Sequence, residues 1–128
     1  MKHLYIVILF FLFHVNIYGQ RYHMNETTKP NDKLRYLKHD MSLVNGIVFC
    51  DYGDWGLYKD GKPTGLHKRW YKKGTIQTEV NLKDGKLDGL CRKWYQWNGQ
   101  LKEERNYKDG EVVSQKCWDE NGNQIDCK

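Results

Sequence analysis

The chain has 128 residues and a formal net charge of +5, with five Trp, nine Tyr and twelve Gly against only two Pro. That length holds one small domain and excludes two ordinary ones. Lys and Arg are interleaved with Asp and Glu throughout, which argues against nucleic acid as a partner, because such proteins gather their cations on one stripe.

At the N-terminus Met1, Lys2 and His3 precede an apolar run from Leu4 to Phe13, and Gly19 stands before Gln20. A basic start, a short apolar stretch and a small residue before a polar one predict a signal peptide over residues 1–19. His14 and Asn16 interrupt the run well short of the roughly 20 apolar residues that a spanning helix needs. The mature protein is therefore expected to be secreted, or periplasmic within the cell envelope. Residues 20–42 are polar and charged, contain Pro30 and show no period. They read as an irregular polar leader to a β-hairpin repeat domain over 43–128.

Internal repetition is the strongest signal in the domain. Lys59-Asp60-Gly61-Lys62, Lys83-Asp84-Gly85-Lys86 and Lys108-Asp109-Gly110-Glu111 recur at intervals of about 24 residues, a period typical of stacked supersecondary units. Gly65-Leu66 matches Gly89-Leu90, Arg69-Trp70-Tyr71 matches Lys93-Trp94-Tyr95, and Gly74 matches Gly99. Copies fall near 59–82, 83–107 and 108–128, with a partial copy over 45–58. Each carries two turn signals, Asp-Gly and Asn-Gly or its Lys73-Gly74 equivalent, which supply the positive φ of tight hairpins.

Between the turns the pattern has period two and predicts strands. Leu66, Lys68 and Trp70 alternate with His67, Arg69 and Tyr71, and the next copy repeats this with Leu90, Arg92 and Trp94 against Cys91, Lys93 and Tyr95. The returning strand puts Ile76, Thr78, Val80 and Leu82 on one face and Gln77, Glu79 and Asn81 on the other. A lone hairpin is marginal, so the copies are expected to stack laterally and bury a Leu, Ile and Trp face. The predicted fold is all-β: tandem hairpins in a meandering antiparallel sheet or short solenoid.

The text Lys83-Asp84-Gly85-Lys86-Leu87-Asp88-Gly89-Leu90, Trp94-Tyr95, Asn98-Gly99-Gln100-Leu101-Lys102 and Asn106-Tyr107-Lys108-Asp109-Gly110 resembles MORN-type repeats. The likeness is to the variant form in bacterial proteins labelled YwqK-type antitoxins, and it covers 45–128. It implies a β-hairpin sheet acting as an interaction or membrane-associated module, with no catalytic residues and no cofactor. The antitoxin-like label names the repeat; an antitoxin works in the cytoplasm, whereas this chain carries an export signal.

The four cysteines, Cys50, Cys91, Cys117 and Cys127, all follow the signal, and an even count in an exported chain favours disulfides. Three pairings are open. Cys117 and Cys127 flank Asn121-Gly122, so a hairpin there would bring them together, leaving Cys50 with Cys91. No two cysteines have the close spacing of a zinc site.

Catalysis finds little footing. His23 and His39 fall in the leader, His67 reads as an exposed strand residue, and no Gly-x-Ser-x-Gly or catalytic cysteine context accompanies them. Asp60, Asp84 and Asp109 recur in the same turn of every copy, as turn chemistry demands and a unique active site does not. Asp119-Glu120-Asn121-Gly122-Asn123 places Gly too early for a calcium-binding EF-hand loop and reads as a hairpin tip.

Trp70 and Trp94 read as core. On the opposite face Arg69, Tyr71, Lys93 and Tyr95 form the candidate binding strip, because a one-layer sheet leaves one face open and aromatic and Arg side chains there serve as interface anchors. The expected function is binding of another protein, with association to an anionic lipid or cell-wall glycan surface as the alternative.

Overall fold

The computed structural model describes residues 19–128, and most of the run read as a signal peptide lies outside the described residues. In chain order the strands are β1 (Arg21–His23), β2 (Thr27–Thr28), β3 (Tyr36–Leu37), β4 (Gly46–Cys50), β5 (Gly53–Lys59), β6 (Lys62–Trp70), β7 (Ile76–Lys83), β8 (Lys86–Leu87), β9 (Gly89–Trp94), β10 (Leu101–Lys108), β11 (Glu111–Trp118) and β12 (Gln124–Ile125). They build one meandering sheet in the order β1-β4-β5-β6-β7-β9-β10-β11-β12, with β8 on β7 and a separate β2–β3 ribbon. Among the described residues only β1 and β4 pair in parallel. The fold is all-β and hairpin-built, as the repeat pattern predicts.

The two turn signals in each copy make two different turns. In Asp60-Gly61, Asp84-Gly85 and Asp109-Gly110 both residues have positive φ, from 49° to 87°, the mirror-image geometry that matches the twist of the flanking strands. At Gly74 and Gly122 only the glycine is left-handed. There the Gly74 N–H donates to Tyr71 O (2.9 Å) and the Gly122 N–H to Asp119 O (3.1 Å). The Asp119 carboxylate accepts the Asn121 and Asn123 N–H groups at 2.9 Å each, and its pKa is lowered, chiefly by the Asn123 bond. This loop is a hairpin tip.

The hydrophobic core sits at the N-terminal end, where Leu37, Val44, Val48 and Tyr58 are buried with Tyr22, Met24 and Trp55 packed around them. Residues 20–42, expected to be irregular, form β1, a 3-10 turn over Met24–Glu26, β2 and β3, and bury Thr27, Arg35 and Leu37. Backbone bonds tie the segment down: Arg35 N–H to Gly61 O (2.9 Å), Gly61 N–H to Val44 O (2.8 Å) and Val44 N–H to Arg35 O (3.0 Å). Its apolar residues are too few and too irregularly spaced to show a period, yet Leu37, Tyr22 and Met24 join Val44, Val48 and Tyr58 in the core.

The alternation within strands holds, but pairing redistributes the faces. Val80 opposes His67 and Glu79 opposes Lys68, so Val80 joins the His67 face and not the Leu66 face. Leu66 is consequently 46% exposed and His67 only 8% exposed, the reverse of the expectation. A bulge between Arg69 and Trp70 adds one residue to the returning strand and shifts which side chains share a face. Trp70 and Trp94 are half-buried, not core. From β7 to β12 only Cys91 and Cys117 are buried, so the C-terminal half is a single layer.

Cys117 and Cys127 are joined by a disulfide. Cys50 and Cys91 are free thiols, contrary to the second pairing expected. They lie in β4 and β9, with β5, β6 and β7 between them. Four strand spacings amount to about 19 Å, far beyond the roughly 7 Å Cα separation that a bridge tolerates. Burial raises the Cys91 thiol pKa. Reduction of the Cys117–Cys127 bridge should cost about 2 to 3 kcal/mol, the chain entropy of a loop this short. The loss should be confined to β11–β12 in amide hydrogen exchange; unchanged protection there after reduction would show the bridge to be redundant.

Candidate functional site

The strip expected from sequence is partly consumed by the fold. Tyr71 donates its hydroxyl to Trp94 O (2.8 Å) and Tyr95 donates to Trp118 O (2.9 Å), while Tyr52 makes the same kind of bond to Lys72 O. Each tyrosine therefore ties the end of one copy to the next. Asn98 adds a parallel tie to Glu120 O at 2.7 Å. Repetition of Trp-Tyr in the sequence marks this stacking device.

Arg69 and Lys93 share one row across the sheet: Arg69 opposes Thr78, Thr78 opposes Lys93, Lys93 opposes Glu103, and Glu103 opposes Cys117. Both cations are exposed. Lys93 pairs with Glu103 at 3.2 Å, and Glu103 also receives Arg105 at 3.1 Å. Among the described residues Arg69 is in no ion pair.

The neighbouring row on the other face runs Lys68, Glu79, Arg92, Glu104, Lys116. Its signs alternate strand by strand, with Lys68–Glu79 at 3.7 Å, Arg92–Glu79 at 4.0 Å and Arg92–Glu104 at 3.0 Å. Opposite charges directly across strands stabilise pairing and specify register. Three cations alternate with two carboxylates, so the row does not make a cationic patch.

Two concavities lie near the N-terminal end. One, of about 620 Å³, opens between the leader and the His67 face and is lined by Arg35, Trp55, Tyr58, His67, Arg69 and Val80, among others. The second, of about 480 Å³, lies against Ile47, Leu57, Leu66 and Trp70. The larger one was not legible beforehand, because Arg35 belongs to a stretch without period and Trp55 to a partial copy.

The three histidines among the described residues are all engaged. His23 Nε2 lies 3.0 Å from Asp51 and His39 Nε2 lies 3.4 Å from Asp40. Asp40 is held by the Ser42 N–H and hydroxyl, which lower its pKa. His67 Nε2 meets Leu57 O at 2.8 Å, and its ring stands edge-on to Tyr58 at 5.1 Å. Among the described residues no three His, Cys, Asp or Glu side chains gather as a metal site.

Burial lowers the pKa of His67, and the Arg35 and Arg69 charges add to the shift, against hydrogen bonds at Leu57 and Thr64 that oppose it. The folded value thus lies below the ordinary 6.5, and between the two the unfolded chain binds more protons. The stability contributed by neutral His67 is complete above pH 6.5 and is lost as pH falls through the folded value. His67→Gln should flatten this part of the thermal-midpoint profile; parallel profiles for the two proteins would rule the linkage out.

No protein-family model, curated protein or solved structure matches the chain.

Proposed function

We propose that the mature chain is an exported, non-catalytic binding module of MORN-like hairpin repeats, which engages another envelope or secreted protein through its open C-terminal sheet. The observation that carries this reading is the single layer from β7 to β12. Among the described residues nothing covers either face, and Val113 and Trp97 stand 60% and 74% exposed near its far end. Exposed apolar and aromatic side chains rimmed by charge are the ordinary make-up of a protein interface.

Ion pairing favours a protein over an anionic surface. Arg92, Lys93 and Arg105 already face glutamates, whereas attraction to a lipid or polyanion surface needs cations free of such partners. Export is supported by a disulfide compatible with an oxidising compartment. Among the described residues no helix is long and apolar enough to cross a membrane.

The test is capture of partners from envelope and secreted fractions of the source organism by the oxidised chain, at low and high salt. A defined protein should remain bound at high salt and be released by alanine at Arg69, Lys93, Trp97 and Val113. Tyr71 and Tyr95 are better replaced by Phe, since their hydroxyls serve the fold. Recovery of only salt-sensitive lipid or glycan would overturn the reading and favour surface association.

A further inference from the structure

Repeat stacking does not account for Arg35. Its side chain belongs to a residue only 8% exposed and donates from Nη1 to Thr27 Oγ1 at 2.6 Å. The guanidinium carbon sits 5.2 Å from the centre of the Trp55 ring and 5.2 Å from that of Tyr58. Its Nε is buried without an acceptor, and no carboxylate among the described residues forms an ion pair with it. Aromatic rings offset part of the cost of burying a cation, but a buried charge is ordinarily matched by an anion.

Arg35 is one of the residues lining the 620 Å³ cleft, a volume within the roughly 300 to 1,000 Å³ of small-ligand sites. Trp55, Tyr58 and Trp70 supply flat apolar wall, and the charged lining is four cations, Arg35, Arg69, Lys29 and Lys68, against the carboxylates of Asp32 and Asp51. Asp51 is itself engaged by His23 at 3.0 Å, so it does not neutralise Arg35. Trp70 Nε1 is a further buried donor without a partner.

We propose that this cleft binds a carboxylate-bearing sugar ring, whose carboxylate neutralises Arg35 while its ring lies against the tryptophan and tyrosine faces. The planar guanidinium fork matches a carboxylate. A sugar ring has an apolar C–H face for the aromatic walls and hydroxyls that can reach Gln77 and the exposed Asp51 carboxylate, groups that a purely aromatic acid would not engage. The site shares Arg69 and part of β7 with the surface proposed for protein binding, but it is argued from Arg35 and does not rest on that reading.

The experiment titrates the full oxidised chain with galacturonate, following tryptophan fluorescence and calorimetry, with galactose, acetate and inorganic sulfate as separate arms. Galacturonate should bind saturably, galactose at least about tenfold more weakly, which is the discrimination expected from one well-placed ionic contact. Acetate and sulfate should not compete at equal ionic strength. Galacturonate should also shield the free thiol of Cys50, which lines the same cleft, from a maleimide reagent.

Arg35→Met, similar in length and uncharged, should abolish binding and thiol protection together. If that variant fails to fold, Arg69→Gln, at an exposed position, should weaken binding several-fold. Three outcomes overturn the proposal: no saturation by galacturonate, equal binding of sulfate and acetate, or tight binding of a peptide C-terminal carboxylate in preference to the sugar acid. None of them bears on capture of a protein by the sheet.

Discussion

Gly56→Ala should destabilise the protein by about 3 kcal/mol, the combined scale of overpacking and backbone strain. A Cβ at this position would stand 2.6 Å from Cδ2 of His67 and 2.7 Å from its Cγ and Nε2. Neither partner can yield easily. His67 is pinned by its bond to Leu57 O and by the edge of Tyr58, and Gly56 has a φ of +148° that residues with side chains rarely adopt. Gly65→Ala is the control: its φ is +71° but nothing lies within 4 Å of its would-be Cβ, so only the conformational cost of about 1 kcal/mol should appear.

Urea denaturation of the two variants separates these terms. Adding His67→Ala to Gly56→Ala should recover the steric part in a double-mutant cycle. Equal losses for Gly56→Ala and Gly65→Ala would mean that the ring does not press on the glycine. Gly53 is built the same way, with a would-be Cβ 2.7 Å from Cζ2 of Trp70. Two aromatic side chains of β6 thus lie over two glycines of β5.

Leu37→Ala is expected to cost about 3 kcal/mol, in the usual range for emptying a buried leucine site. Leu37 lies in β3, within the stretch whose composition reads as an irregular polar leader, and joins Val44, Val48 and Tyr58 in the only buried apolar cluster among the described residues. Were the leader merely appended, truncation there would change little. The loss should appear as lowered thermal stability together with faster hydrogen exchange in β4 and β5, while β10 and β11 keep their protection. Such locality is expected of a sheet in which each strand contacts only its neighbours. A change under about 0.5 kcal/mol, the level of an ordinary surface substitution, would remove the leader from the core.

Different residues in the candidate strip carried different amounts of legible information. Arg69 and Lys93 are exposed where alternation places them, because period two survives any register. Tyr71 and Tyr95 were equally well placed along the chain, but their hydroxyls reach the carbonyls of Trp94 and Trp118. That contact depends on how far one copy is offset from the next. The Arg35 cleft had no signal at all, since its walls come from the leader, from β5 and from β6 and β7, and no local pattern joins them.

The amino-acid sequence by itself determined the hairpin fold: the recurring Asp-Gly pairs, each with two left-handed residues, are a local steric requirement that needs no tertiary context. It also determined the Cys117–Cys127 pairing, because a hairpin of this length brings its own flanks together. Tertiary structure alone decided which face is buried. His67 is buried because Gly56, Leu57 and Tyr58 of β5 lie against it, while a one-residue bulge in β7 at Arg69/Trp70 sets Val80 opposite it, and period two reveals neither. It likewise decided that Cys50 and Cys91 stay apart and that the leader closes the core, since both follow from strand order and from which open face the leader's scattered apolar side chains can cover.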